Sequence, residues 1–127
     1  MVLFKKNSSV QELQPKNFNV GTKKVNHPLL ANSKGIIVFA AEFCGHCKRF
    51  GPVYEKTSDI LGNSFPFFFL DCEKNGDLAS QFGVNGYPTV MYIDSSGKLY
   101  KNYTGERTVD ALLVDICKEA RVCSRRS

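Results

Sequence analysis

A chain of 127 residues has room for one domain and one core, and 43% hydrophobic residues, with ten Phe and five Tyr, can fill that core without disulfide staples. The formal charge of +5 comes largely from the ends, at Lys5, Lys6, Arg121, Arg125 and Arg126; it reads as solvated termini and not as a nucleic-acid face, which would interleave basic and aromatic residues. No apolar run approaches membrane-spanning length, so neither a nucleic acid nor a membrane is expected as a partner.

The expected domain runs over residues 1–127, with an irregular stretch near 19–34 and a flexible basic tail over 121–127. Residues 8–13, with Val10 and Leu13, suit a short edge strand. Asn17-Phe18 could open a helix, but Gly21 and His27-Pro28 break it, so an irregular or broken helix is expected up to Ser33. The β-branched run from Ile36 to Ala41 reads as a buried strand. A helix should follow to Leu61, with Phe50, Val53, Tyr54, Thr57, Ile60 and Leu61 on one stripe, Pro52 kinking it and Gly62 at its C-cap. Phe65–Leu70 reads as a second buried strand, and this strand–helix–strand unit implies parallel pairing with a right-handed crossover. A short helix over Asp77–Phe82 and a loop over 83–86 lead to two strands, Thr89–Ile93 and Lys98–Thr104. Asp94-Ser95-Ser96-Gly97 joins them as a hairpin. Thr108 can then N-cap a last helix whose Val109, Leu112, Leu113, Ile116 and Ala120 form one apolar stripe.

Cys44-Gly45-His46-Cys47 falls where the buried strand turns into the long helix. Two cysteines two residues apart can close a small disulfide ring, and a helix N-terminus stabilises a thiolate through its partial positive charge and unpaired N–H groups. Cys44, at the mouth of the turn, is expected as the nucleophile and Cys47, one turn in, as the buried resolving thiol. His46 between them would add to thiolate stabilisation and make the disulfide more oxidising. A zinc half-site would need a second cysteine pair at matching spacing, which Cys72, Cys117, Cys123 and His27 do not provide, so no metal or other cofactor is called for. A purely structural pair is the remaining alternative.

Met1-Val2-Leu3-Phe4 precedes Lys5-Lys6, the reverse of a secretory signal, and Cys123-Ser124-Arg125-Arg126-Ser127 is no retention sequence, so a reducing, cytoplasmic setting is expected. Five cysteines is an odd number. Cys72, Cys117 and Cys123 therefore read as thiols and not as a disulfide framework: Cys72 as a semi-buried structural thiol or a redox sensor that pairs with another chain, Cys117 as packing, and Cys123 as an exposed thiol through which an otherwise monomeric protein could link into a dimer. The abundance of Lys, Asn, Phe and Tyr hints at an AT-rich genome, as in a large DNA virus replicating in the cytoplasm, with virion association then open, or in a protist.

Phe43-Cys44-Gly45-His46-Cys47-Lys48, Pro52 and Tyr54-Glu55-Lys56, followed by Leu78-Ala79, Phe82-Gly83-Val84, Gly86-Tyr87-Pro88-Thr89 and Tyr103-Thr104-Gly105 with Arg107, resemble the successive blocks of protein disulfide isomerase domains in the thioredoxin superfamily. The resemblance implies an α/β thioredoxin fold with a mixed central sheet flanked by helices and Pro88 in cis facing the cysteine pair. It implies catalysis by Cys44, Gly45, His46 and Cys47, and client binding by Phe43, Gly86, Tyr87 and Pro88, where backbone beside the proline pairs with an extended chain. It also implies an Arg107 that swings toward the resolving cysteine.

The chain departs from that pattern at four points. Phe43 stands for the usual tryptophan, and Glu42 for a proline, which adds a charge opposing the thiolate. Val38 occupies the place of a buried acid that handles the resolving cysteine's proton. The lysines that pair with that acid fall at Phe67 or Phe69. Removing both charges avoids stranding one, but it predicts slow deprotonation of Cys47. The expected activity is protein thiol–disulfide exchange, with protein clients and an upstream sulfhydryl oxidase or a reductase as partners, and a potential nearer about −180 mV than about −270 mV. The alternative is a redox-switched peptide-binding module with little turnover.

Overall fold

The computed structural model describes residues 3–124. Met1, Val2, Arg125, Arg126 and Ser127 lie outside them, and with them parts of the expected N-terminal pattern and basic tail. Seven strands and three α-helices follow in the order β1 (Val10–Glu12), β2 (Phe18–Asn19), β3 (Lys24–Val25), β4 (Gly35–Ala40), α1 (Gly45–Leu61), β5 (Phe67–Asp71), α2 (Gly76–Gln81), β6 (Thr89–Ile93), β7 (Leu99–Asn102) and α3 (Val109–Ala120). The main sheet has the order β1-β5-β4-β6-β7, parallel from β1 to β4 and antiparallel beyond.

Strand β4 is buried along its whole length because both its faces are covered, which is why its sequence is continuously apolar and not alternating. Ile36, Val38 and Ala40 face α1 and α3, where they meet Cys47, Phe50, Tyr54, Leu112 and Ile116. Ile37 and Phe39 face the other way, toward Leu70, Cys72, Ala79 and Val84 around α2. The Tyr54 hydroxyl is fully buried and satisfied, reaching the carbonyls of Ile36 (3.1 Å) and Phe68 (2.7 Å) and so fastening α1 to β4 and β5. Helix α1 is continuous across Pro52 and ends at Gly62, whose φ of 57° lies in the left-handed region.

The stretch expected as a broken helix is instead a two-residue-strand hairpin set between two 3-10 turns. Pro15 and Pro28 each open a turn, where a missing N–H costs nothing. Phe18 pairs with Val25 across the hairpin; Val25 is buried, and the Phe18 ring meets Phe82 edge-on at 5.3 Å. Apolar residues on facing strands, and not one helical stripe, carry this segment. The hairpin also packs on the β6–β7 turn, where Gly97 (φ 91°) is obligatory: a Cβ there would stand 2.4 Å from the Val25 carbonyl oxygen.

A second correction concerns the tail. Cys117 and Cys123 are joined by a disulfide, so neither is the free thiol the sequence suggested. Arg121 turns back in the left-handed region (φ 61°), its N–H bonding the Cys117 carbonyl at 3.0 Å, and Val122 packs on the core. The flexible tail expected from residue 121 is thus tied down through Cys123. The helix-end reversal brings the two cysteines together, and a stripe analysis that stops at Ala120 cannot see it.

Candidate active site

Strand β4 delivers the chain to Ala41, whose carbonyl accepts the Cys44 N–H at 3.1 Å. Cys44 then N-caps α1 with extended backbone, and its sulfur does the work of a capping oxygen by accepting the Cys47 N–H at 3.4 Å. The thiol in turn donates to the Tyr87 carbonyl at 3.5 Å. Cys44 is half-buried and Cys47 buried, and both are free thiols. Burial pushes the Cys44 thiol up, but hydrogen bonds from Cys47 and from the Cys47 and His46 backbone N–H groups, together with the Arg107 charge, outweigh it and leave the pKa below its ordinary value. Cys47 has the opposite balance: burial, and then the neighbouring Cys44, raise it to about 12.

The Tyr87–Pro88 peptide bond is cis. Pro88 is buried, Gly86 is exposed and its carbonyl accepts the Thr89 hydroxyl at 2.7 Å, and the half-buried Tyr87 ring meets Phe43 edge-on at 6.3 Å. Phe43 is 66% exposed, the most open large hydrophobic residue among those described. Gly45 and His46 are exposed on the first turn of α1. The His46 ring accepts from the Arg49 guanidinium at 2.9 Å, while the His46 backbone N–H helps hold the Cys44 thiol below its ordinary pKa. Arg107 is exposed and borders a cleft with Pro88 and Tyr103; its charge acts on Cys44, where the sequence reading had it approach Cys47. Glu42 lines a separate groove with Leu3, Phe4, Asp71 and Glu73.

Val38 stands directly opposite Phe69 in the β4–β5 register and opposite Val90 in β6. The two places where an acid and a lysine would meet are therefore cross-strand neighbours, and both are apolar. Phe67, the other candidate, pairs with Ile36 and packs on Tyr54. The sequence reading missed the position of Cys72: its N–H bonds the Ala40 carbonyl at 2.9 Å, and its thiol meets the Tyr87 hydroxyl beneath the site. Burial raises this thiol to about 12, and it is enclosed, which removes it as a link to another chain. Its place at the end of β5, beside the end of β4, was the available signal.

Residues 9–118 match the family model described as Thioredoxin. The chain is 38% identical over 106 residues to protein disulfide isomerase-like 2-2 of Oryza sativa subsp. japonica, covering 81% of this chain and 27% of the relative. It is 35% identical over 115 residues to protein disulfide-isomerase A3 of Gallus gallus, covering 89% and 21%. Among solved structures, human ERp44 form I superposes with a TM-score of 0.73 at 24% identity, covering 91% of this chain and 30% of that one. The chain thus spans about a quarter of the curated relatives it matches.

Proposed function

Because the chain belongs to the thioredoxin family, as a domain similar to those of protein disulfide isomerases and carrying their dithiol–disulfide oxidoreductase pair, we propose that it exchanges disulfides with protein clients through Cys44 as nucleophile and Cys47 as resolving thiol. The capping contact carries this reading: the Cys44 sulfur accepts the Cys47 N–H at 3.4 Å, an interaction that strengthens when the sulfur is a thiolate. In the reducing direction the Cys44 thiolate attacks a client disulfide, one client sulfur leaves, and Cys47 displaces Cys44 from the mixed disulfide. In the oxidising direction a client thiolate attacks the Cys44–Cys47 disulfide at Cys44, Cys47 leaves and takes a proton, and a second client thiolate completes the transfer.

Phe43, Gly86, Tyr87 and Pro88 form the client seat, with Phe43 offering an exposed apolar face and the backbone beside Pro88 an extended edge. Arg107 supports the thiolate, and Glu42 sets the charge of the flank. A sulfhydryl oxidase or a reductase resets the pair. The Cys117–Cys123 disulfide supports action where disulfides persist, against the cytoplasmic setting expected earlier.

The second reading, a redox-switched binding module, draws on Val38 and Phe69. No acid stands beneath Cys47 there to take its proton, so resolution is slow unless solvent does so. Equilibrating the Cys44–Cys47 pair in glutathione buffers, with insulin-disulfide reduction assayed on the same sample, separates the two. A potential near about −180 mV with turnover supports the oxidoreductase; a stable pair without turnover supports the module.

A further inference from the structure

Two cysteine pairs stand at the ends of helices: Cys44 and Cys47 open α1, and Cys117 and Cys123, joined by a disulfide, close α3. We propose that the tail dithiol Cys117/Cys123 is itself a client of the Cys44–Cys47 disulfide, oxidised by the active site of a second copy of this chain. The inference rests on the thiol-exchange reading above.

Geometry excludes the reaction within one molecule. Helix α3 starts beside the site, just after Arg107, whose charge reaches Cys44. It ends near the start of β4, where the Lys34 ammonium bonds the Glu119 carbonyl at 3.1 Å, whereas the far end of β4 leads to Cys44. The twelve residues of α3 span about 18 Å, so the tail lies at the other pole. It is nonetheless open to a second molecule. Cys123 is exposed, and beside it lies a groove with Leu113 and Val114 as apolar walls and Asp110 and Lys118 at its border, Val114 being 56% exposed. The active-site face presents the exposed Phe43 beside Cys44. An apolar projection can meet a groove with apolar walls.

The helix ends set the direction. Cys44, at a helix N-terminus, is a good leaving thiolate; Cys117, in the last turn of α3, faces the partial negative charge of a helix C-terminus. A disulfide at the N-terminal pair is thus the oxidant and a dithiol at the C-terminal pair the reductant. The Cys123 thiolate attacks the Cys44 sulfur of the second copy; the Cys44–Cys47 bond breaks, and Cys47 leaves and is protonated. Cys117 then gives its proton to solvent and attacks Cys123, releasing Cys44 as a thiolate. Two electrons pass from the tail to the active site, giving the pairing seen in the structure.

The test mixes two variants. The donor, Cys117→Ser/Cys123→Ser, is oxidised at Cys44–Cys47; the recipient, Cys44→Ser/Cys47→Ser, is reduced at its tail. Thiol alkylation followed by mass spectrometry reads the transfer against time, with oxidised glutathione at equal concentration as comparison. The expected result is closure of the Cys117–Cys123 disulfide at least tenfold faster with the donor than with glutathione. A donor that oxidises a reduced dithiol peptide but leaves the recipient tail at the glutathione rate overturns the inference alone. A donor inactive on both substrates overturns it together with the proposed function.

Discussion

Cys44–Cys47 and Cys117–Cys123 are the same chemistry placed at opposite ends of helices. The first pair opens α1, where the Cys44 sulfur replaces a capping oxygen and its pKa falls. The second closes α3, where the backbone reverses through Arg121 at φ 61°, a conformation uncommon for a non-glycine residue. At the start of a helix, then, a cysteine pair gains from being reduced, because the thiolate stabilises unpaired N–H groups. At the end of a helix it gains from being oxidised, because the disulfide holds a reversal that the backbone disfavours. On the exchange chemistry proposed above, one domain would hold a pair set to give its disulfide away and a pair set to keep one.

The largest expected effect breaks the first half of that comparison. Cys44→Ser should take insulin reduction to the background rate, while Cys47→Ser should retain the first attack and accumulate a mixed disulfide, visible by non-reducing electrophoresis. Equal loss in both variants without trapped adduct would mean that Cys44 is not the attacking thiol.

Val38 sharpens the same half. Installing an acid with Val38→Glu opposite Phe69 strands a buried charge and should cost about 3–5 kcal/mol in urea unfolding. Adding Phe69→Lys should return much of that stability and speed mixed-disulfide resolution about 100-fold, the contribution of a positioned base. Recovered stability without faster resolution would show that proton transfer from Cys47 does not limit exchange.

The second half is tested by opening the tail. Cys117→Ser/Cys123→Ser removes a cross-link of sequence separation 6, worth about 2 kcal/mol from loop-closure entropy. Chemical denaturation of the oxidised wild type and the variant measures it. Loss of protection should be confined to the last turn of α3, Val122 and the Lys34–Glu119 contact in hydrogen exchange. A change that reached Cys44 would contradict the separation of the two poles.

How much of this was legible in sequence follows from where the information lies. The strands around the site, Gly62 at the end of α1 and the Thr108 cap are local signals, and they stand where periodicity and capping put them; Thr108 accepts the Ala111 N–H at 3.2 Å. The placement of Val38 against Phe69 follows once β4 and β5 are paired in parallel. The segment 18–25 misled because two-residue strands carry too few residues for a period, and their hairpin is fixed by burial against Phe82 and Gly97 instead. The tail disulfide depended on a left-handed reversal at an arginine, for which composition gives no warning. Cys72 was readable as a strand-end thiol, but its contact with the Tyr87 hydroxyl required the 87–88 loop to be folded over it.

The smallest effect concerns Arg107, and its sign is fixed. Its positive charge favours the Cys44 thiolate and helps hold that pKa below the ordinary value. The rate of client-disulfide attack follows the thiolate fraction, so it rises with pH through the Cys44 pKa and levels off above it. Arg107→Gln removes the favourable charge, raises the pKa and moves the rising limb to higher pH. The plateau, set by a fully ionised sulfur, should change little, because Arg107 is solvent-exposed and water screens what it adds. Thiolate absorbance near 240 nm, titrated in the Cys47→Ser/Cys72→Ser background with the tail disulfide closed, reads the shift directly. A limb that moved downward, or did not move, would mean that Arg107 does not support the thiolate, leaving it to the side chain at position 47 and the backbone N–H groups of residues 46 and 47.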